Sequence, residues 1–507
     1  MKRGAERSLR AGTKFGYAAR KLRPTSAALP ALLFVILSLL PTPARSQGVR
    51  GWVGSTVQMV EMRPLAVDTV SPDRVTEVDG VPYIGGRRAF CATGLECVAY
   101  RALPTVTSVA ATQDVSLTAW GFGIRGLSFT TLLRGRARMG SDFLWPRTDD
   151  RFDALLAYAQ WVRGPLRVRA GRQEARSGLG FSGFDGAWLS LRAGRATVEG
   201  YGGRSLARAL REPAKDALRG LEDFFPDQSV YLLGGSLRAH LGATSVTARY
   251  QREILADRSG LESERASVDV SSAFPGARIR GSVDYDFAFS RFGKGHFTLG
   301  IPFADGKWLV EASARRYVPY FSLSTIWGFF EPVAYHEGTL RMSWSPGTRA
   351  AVWVSGGYRR YGDAGTTVVL EPLEDSGWRA GAGVRLRLLS TLLVDGSYRL
   401  EWGPGGYLSS GDAALRWTPR EGVMVALSGT TFQQIEQFRV GDGRALGGGI
   451  MADLEISPRM SLSGGYSLMR LKNSGGAVDE PWNQNRGWTA LRIRVGRDPG
   501  LSSGGRP

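Results

Sequence analysis

The sequence predicts an all-β chain, a transmembrane antiparallel up-and-down β-barrel of about 22 strands, within a range of roughly 18 to 24. Three observations carry this. Apolar and polar residues alternate with a period of two through most of the chain. Turn signals recur at near-regular spacing. Short connections alternate with long polar ones.

The bulk composition agrees. The chain has 507 residues, 67 of them glycine, and 22% are charged. Glycine at this level without a collagen period belongs to turns and closely packed strands. No stretch after residue 46 reaches the ~18 consecutive apolar residues of a helical membrane span. The formal charge is +19, but the first 46 residues carry nine Lys/Arg and one acid, which leaves 56 basic and 45 acidic residues beyond them. The arginines are spaced along strands and form no single patch or tail, so nucleic-acid binding is not expected.

Residues 1–46 read as a secretory signal peptide. A basic segment precedes a short apolar core over 27–40, then come Pro41, Pro43 and the small residues Ala44 and Ser46, with cleavage expected before Gln47.

Beyond Gln47 the period is two. Arg278, Arg280, Ser282, Asp284 and Asp286 fall on one face and Ile279, Gly281, Val283, Tyr285 and Phe287 on the other. Leu491, Ile493 and Val495 oppose Arg492 and Arg494. Val394, Gly396, Tyr398, Leu400 and Trp402 oppose Asp395, Ser397, Arg399 and Glu401. Gly164-Pro165, Pro275-Gly276, Asp305-Gly306, Pro346-Gly347 and Pro458-Arg459 mark tight turns, and 140–151, 174–185, 205–228, 361–376, 434–444 and 472–486 read as longer loops.

A sheet that spans lipid must close on itself, because hydrocarbon offers no partner to a free N–H or C=O. About ten residues at ~3.3 Å rise, tilted ~40°, cross a layer ~25 Å thick. A soluble β-sandwich also alternates, but it would bury apolar residues where this chain carries arginine and carboxylates. Trp52, Trp120, Trp161, Trp188, Trp344, Trp402, Trp417 and Trp488 sit near predicted strand ends, as an interfacial girdle requires.

With these features the chain resembles bacterial outer-membrane porin-like proteins over residues 47–496. The resemblance is architectural and points to no single family. It implies a location in the bacterial outer membrane, with membrane lipid and the assembly machinery as partners. Members of the class usually end their last strand with a terminal aromatic residue. Here the last predicted strand ends near Val495 and a polar tail, 497–507, follows.

Two insertions interrupt the pattern. Residues 63–112 read as a loop stapled by a disulfide between Cys91 and Cys97, either folded inward or solvated outside. Within 205–228, Leu206, Leu210, Ala214, Leu218 and Leu221 have the spacing of a short helix. A third segment, 317–336, is aromatic. Tyr320, Phe321, Trp327, Phe329 and Phe330 are candidates for stacking sugar rings, or for packing the loop on itself.

The polar face holds the functional content. Arg136, Arg138, Arg167, Arg169, Arg249, Arg278, Arg280, Arg315, Arg341, Arg385, Arg387, Arg399, Arg416, Arg492 and Arg494 would each cost ~2–4 kcal/mol facing lipid at mid-membrane, so they are expected to line the lumen. Either they make it selective for anions, or Asp284, Asp286, Asp395, Glu311 and Glu401 neutralise them. The expected function is a porin-like channel for hydrophilic, anionic or sugar-like solutes. The alternative is a loop-closed barrel serving as scaffold, adhesin or partner of a polysaccharide or protein export machine. No enzyme, cofactor or metal is expected: His240 lies four residues from Ser236 without a recognisable catalytic motif, and the two cysteines lack companion zinc ligands. Barrel-like strands begin directly after Gln47, with no sign of a plug domain.

Overall fold

The computed structural model describes residues 48–78, 80–91, 96–140, 151–206, 230–256, 260–318, 334–362, 375–403, 406–435, 442–474 and 481–496. The expected signal peptide, the tail and the body of the predicted 205–228 helix lie outside them, as do the five aromatics Tyr320, Phe321, Trp327, Phe329 and Phe330.

The alternating segments form strands. β1 (Gly48–Met62) is followed by five short strands, β2 (Leu65–Val70), β3 (Thr76–Val78), β4 (Val81–Ile84), β5 (Arg87–Cys91) and β6 (Cys97–Ala102). Then come β7 (Val106–Trp120), β8 (Leu127–Gly140), β9 (Arg151–Arg163), β10 (Leu166–Ser177), β11 (Gly180–Ala193), β12 (Ala196–Ser205), β13 (Val230–Leu241) and β14 (Thr244–Leu255). β15 (Leu261–Phe274), β16 (Ala277–Asp286), β17 (Arg291–Phe303), β18 (Trp308–Tyr317), β19 (Tyr335–Trp344), β20 (Ala350–Tyr361) and β21 (Ser376–Leu389) continue the wall. β22 (Leu392–Gly403), β23 (Gly406–Arg420), β24 (Val423–Ile435), β25 (Asp442–Ser457), β26 (Met460–Ser474) and β27 (Trp482–Gly496) complete it.

Twenty-two of these strands make one antiparallel sheet in sequence order, and it closes because β1 pairs with both β7 and β27. Val53 marks the seam, opposite Val115 on one side and Ile493 on the other. Closure leaves no free edge, which is the condition for a sheet in hydrocarbon.

Tight turns share one rim with β1's start and β27's end. Gly164, Gly194 and Gly242 stand in these two-residue turns at φ 56, 56 and 63°, the left-handed region that primed hairpin turns need and side chains resist. The longer connections share the other rim.

The strands run longer than the sequence suggested. β27 begins at Trp482, inside the predicted 472–486 loop, and β23 runs for 15 residues over Gly406–Arg420. The segment 63–112 needs a larger correction. Residues 106–112 belong to the wall, paired with β1 from Thr56 to Met62. Small and β-branched residues there pair well, but they alternate weakly in hydropathy and follow Pro104, so they look like loop. The remainder is a sheet of its own, ordered β2-β6-β5-β4-β3. Cys91 and Cys97 face each other across β5 and β6 and are bonded. Ile84, Ala89, Cys97 and Ala99 form its small core, backed by Val70 and Val75.

Candidate lumen and constriction

Side chains on strands two or three apart can meet only on the concave face of a closed sheet. Gln251 of β14 donates Nε2–H to Ser182 Oγ of β11 at 3.1 Å, and Tyr201 of β12 donates its hydroxyl to Gln251 Oε1 at 3.2 Å. On the opposite wall, Arg359 of β20 reaches Glu401 of β22 at 2.8 Å, and Arg379 of β21 reaches Glu337 of β19 at 2.9 Å. These residues therefore point inward. The period-two register carries that assignment from strand to strand and returns to the same face after a full circuit.

By this register every arginine of the predicted set faces the interior. Arg167 and Arg169 lie on β10, Arg249 on β14, Arg278 and Arg280 on β16, Arg315 on β18 and Arg341 on β19. Arg385 and Arg387 lie on β21, Arg399 on β22, Arg416 on β23, Arg492 and Arg494 on β27, and Arg136 and Arg138 on β8. The opposite face carries large apolar side chains open to the surroundings, among them Leu189, Val198, Leu237, Phe297, Leu340, Leu427 and Ile450. That is the outer surface a hydrocarbon layer requires.

The tryptophans divide. Trp161, Trp344, Trp402 and Trp417 face outward, and Trp344 packs on Trp308 with ring centres 5.8 Å apart. Trp52, Trp120, Trp188 and Trp488 face inward, contrary to the predicted girdle. Proximity to a strand end does not determine the face; parity does. Three of the inward rings lie under guanidinium groups. Arg492 stands 4.5 Å from the Trp52 ring, Arg169 4.7 Å from Trp188, and Arg50 6.0 Å from Trp120.

The inward arginines differ in their partners along the barrel. Toward the long-connection rim they pair with carboxylates. Arg134 grips Asp114 through Nε and Nη2 at 2.7 and 2.9 Å, and Arg136 meets Asp153 at 2.9 Å. Arg359 and Arg379 each bond both Glu337 and Glu401, closing a four-membered ring of charges. Lower down, Arg249 pairs with Asp269.

Toward the tight-turn rim, Arg167, Arg169, Arg238, Arg278, Arg280, Arg341, Arg385, Arg387, Arg416, Arg492 and Arg494 form a belt. Glu199, Glu311, Asp395, Asp453 and Glu455 are the acids on the same face. Among the described residues, Arg416–Asp395 at 3.6 Å is the ion pair of this belt. Other members are held by neutral groups. Arg341 lies 4.4 Å from the Trp353 ring, Arg169 donates to Gln160, and Arg494 donates to the Pro458 carbonyl at 3.2 Å.

Asp284 and Asp286 have a different task. Asp284 accepts from the Lys294 N–H, and Asp286 accepts from the N–H groups of Ala288 and Phe289 at 3.0 and 3.3 Å. They fix the β16–β17 connection.

The segment predicted as an outer loop at 174–185 is instead the head of the β10–β11 hairpin, and it folds into the barrel. β10 pairs with β9 only as far as Arg172 but continues with β11 to Ser177. The break falls at Gly171, φ +122°, where a Cβ would collide with the Ala157 carbonyl. Beyond it the hairpin tip curls over the inner wall of β12 to β15. A Cβ at Gly178 would lie 3.1 Å from Asp269 Oδ2 and 3.2 Å from Arg249 Nη1. Phe184 is 0% exposed and stacks on Tyr201 at 5.6 Å beside Leu232. The tip narrows the lumen. Sequence reasoning missed this constriction because Gly178, Gly180 and Gly183 read as ordinary loop glycines.

Ser236 and His240 share the inward face, but Ser236 donates to Glu199 at 3.0 Å and four residues of extended chain, ~13 Å, separate the two. The structure does not bring them together.

No family model matches the sequence, and no curated protein matches it. Solved structures resemble the fold. A BenF-like porin from Pseudomonas fluorescens Pf-5 is 8% identical, over 89% of this chain and 100% of its own, with a TM-score of 0.41. A variant of the ferric enterobactin receptor from Pseudomonas aeruginosa is 10% identical, over 88% and 80%, with a TM-score of 0.47. The P pilus usher translocation pore is 9% identical, over 88% and 99%, with a TM-score of 0.42.

Proposed function

We propose that the chain is a channel of a bacterial outer membrane that passes hydrophilic anions by diffusion, without chemistry or a cofactor. One observation carries the reading. In the tight-turn half of the interior, guanidinium groups rest on indole rings and carbonyl oxygens while carboxylates are few. An arginine stacked on a ring keeps its full charge and a fixed position. A row of such charges in a confined aqueous passage raises the local concentration of anions. The exposed apolar outer face and the signal-peptide pattern support the membrane and the export route, with outer-membrane lipid and the assembly machinery as partners.

The experiment is planar-bilayer recording of the refolded barrel under a potassium chloride gradient. Discrete conductance steps with a reversal potential displaced toward the chloride equilibrium value are the expected result. A reversal potential on the potassium side sinks the anion reading. The inward hairpin favours a second reading, a barrel largely filled by its own chain that serves as scaffold or export partner. Absence of any conductance step, with heat-modifiable gel migration confirming a folded barrel, would favour that one.

A further inference from the structure

At the tight-turn rim a cavity of about 560 Å³ opens between the lower ends of β9 to β13. Four arginines and a histidine line it: Arg167 of β10, Arg192 of β11, Arg195 of the β11–β12 turn, and Arg238 and His240 of β13. Glu199 is its one carboxylate.

The register explains the convergence. Arg192 is opposite Thr197, and Thr197 is opposite Arg238, so two guanidinium groups flank a central hydroxyl across three adjacent strands. Their backbones stand ~10 Å apart, two strand spacings. Arginine side chains span that gap from both sides and still leave room for a tetrahedral anion between them. Arg167 belongs to the next row, opposite Ser190. Arg195 hangs from the turn, whose carbonyl accepts the His240 N–H at 2.9 Å and so ties the turn to β13.

The charges are not used up internally. Glu199 accepts from Ser236 Oγ at 3.0 Å, and Arg238 is steadied by Thr247 Oγ1 at 3.4 Å, a neutral contact. Among the described residues, none of the four arginines has an ion pair. Guanidinium forks from several directions match an anion with many acceptor oxygens and more than one charge, the geometry of phosphate esters and diphosphates. A single-charged halide offers no directional acceptors to such a fork. The cavity lies on the lumen side of the wall, so the occupant comes from the aqueous passage and not from a lipid headgroup of either leaflet.

We infer that this cavity is a binding site for phosphate-type polyanions at the tight-turn mouth of the channel. The inference deepens the proposed function by naming the solute class, and its transport consequence rests on that reading. The test uses the whole barrel in detergent micelles, with inorganic pyrophosphate titrated calorimetrically at constant ionic strength. Saturable binding is expected. Arg192→Gln and Arg238→Gln should each weaken it by about tenfold, the loss of one charge-assisted bond set. Arg360→Gln, on the outward face and paired with Asp375, should leave the affinity unchanged. Heat-modifiable migration confirms that each variant is folded. In bilayers, pyrophosphate on the tight-turn side should block chloride current in the wild type and lose that effect in Arg192→Gln. Absence of saturable binding, or equal weakening by Arg360→Gln, overturns the site. Anion-selective current indifferent to pyrophosphate also overturns it while leaving the channel standing. Binding without any conductance supports the site and removes the channel.

Discussion

Gly178 faces Asp269 inside the barrel so closely that a Cβ on it would lie 3.1 Å from the carboxylate. The first is in the turn after β10 and the second is midway along β15, and a methyl-sized group on Gly178 would press against the Asp269 carboxylate and the Arg249 guanidinium paired with it.

Gly178→Phe should lift the tip off this wall. The pair beneath is ionic and hydrogen-bonded, so it resists moving aside for an aromatic ring. Single-channel conductance is expected to rise above wild type. Unchanged conductance with a folded variant would place the rate-limiting narrowing elsewhere.

Charge in the arginine belt should set selectivity. Arg385→Glu combined with Arg387→Glu adds acids beside Asp395, in a belt where arginines outnumber carboxylates. Reversal potentials in a salt gradient should move toward the potassium side, and more so at low ionic strength where screening is weak. A shift of the opposite sign contradicts the belt's role.

The ring of Arg359, Arg379, Glu337 and Glu401 should act on stability instead. Glu337 is only 7% exposed and depends on two arginines. Arg359→Gln leaves that carboxylate short of a partner at a cost of about 1–3 kcal/mol. Urea-dependent unfolding in micelles should show the loss, while ion selectivity shifts less than in the Arg385/Arg387 double variant, because the ring changes by one charge and not four.

The assignment of faces can be checked on neighbouring strands. Leu427 is 49% exposed on the outward face, between Leu415 and Ile450. Leu427→Arg should destabilise the barrel in lipid by ~2–4 kcal/mol. Ala414→Arg, on the inward face opposite Ser428, should be tolerated in the same assay. Equal costs would undo the inside–outside assignment.

The small sheet of β2–β6 should loosen in acid. The hydrogen bond from Arg87, at 2.8 Å, holds the Asp68 carboxyl below its usual range, with Arg101 adding attraction. A folded value below the unfolded one means the ion pair stabilises the fold above roughly pH 4, and that contribution disappears as pH falls through the lowered value. Hydrogen exchange over residues 65–102, taken relative to the intrinsic rate at each pH, should be steady down to that range and accelerate beneath it. In Asp68→Asn it should be faster at neutral pH and lose the acid step. Matching profiles for the two proteins would exclude the carboxylate as the cause.

The wall was legible in the sequence because period-two alternation is a local property, and each strand declares its two faces without reference to its neighbours. That the set from Arg136 to Arg494 shares one face of the wall follows from the same parity. What escaped were features decided at a distance. Trp52 and Trp188 fall near predicted strand ends, where a girdle is expected, but their partners Arg492 and Arg169 lie on adjacent strands that no local window joins to them. The hairpin at 174–185 looked like a loop because glycine and short polar residues mark both a solvated turn and a close approach of backbones. Only the position of Asp269 distinguishes the two. The sheet at 65–102 was hidden for another reason: its strands of three to six residues are too short to show a period.

The seam at Val53 imposes an order on assembly. The strand made first is held on one side by the strand made last, so every shorter polypeptide has two raw edges and an unfinished wall. A chain without Trp482–Gly496 leaves β1 unpaired on one side. Watertightness, on this view, is an all-or-none property conferred by the final fifteen-residue segment and not accumulated strand by strand.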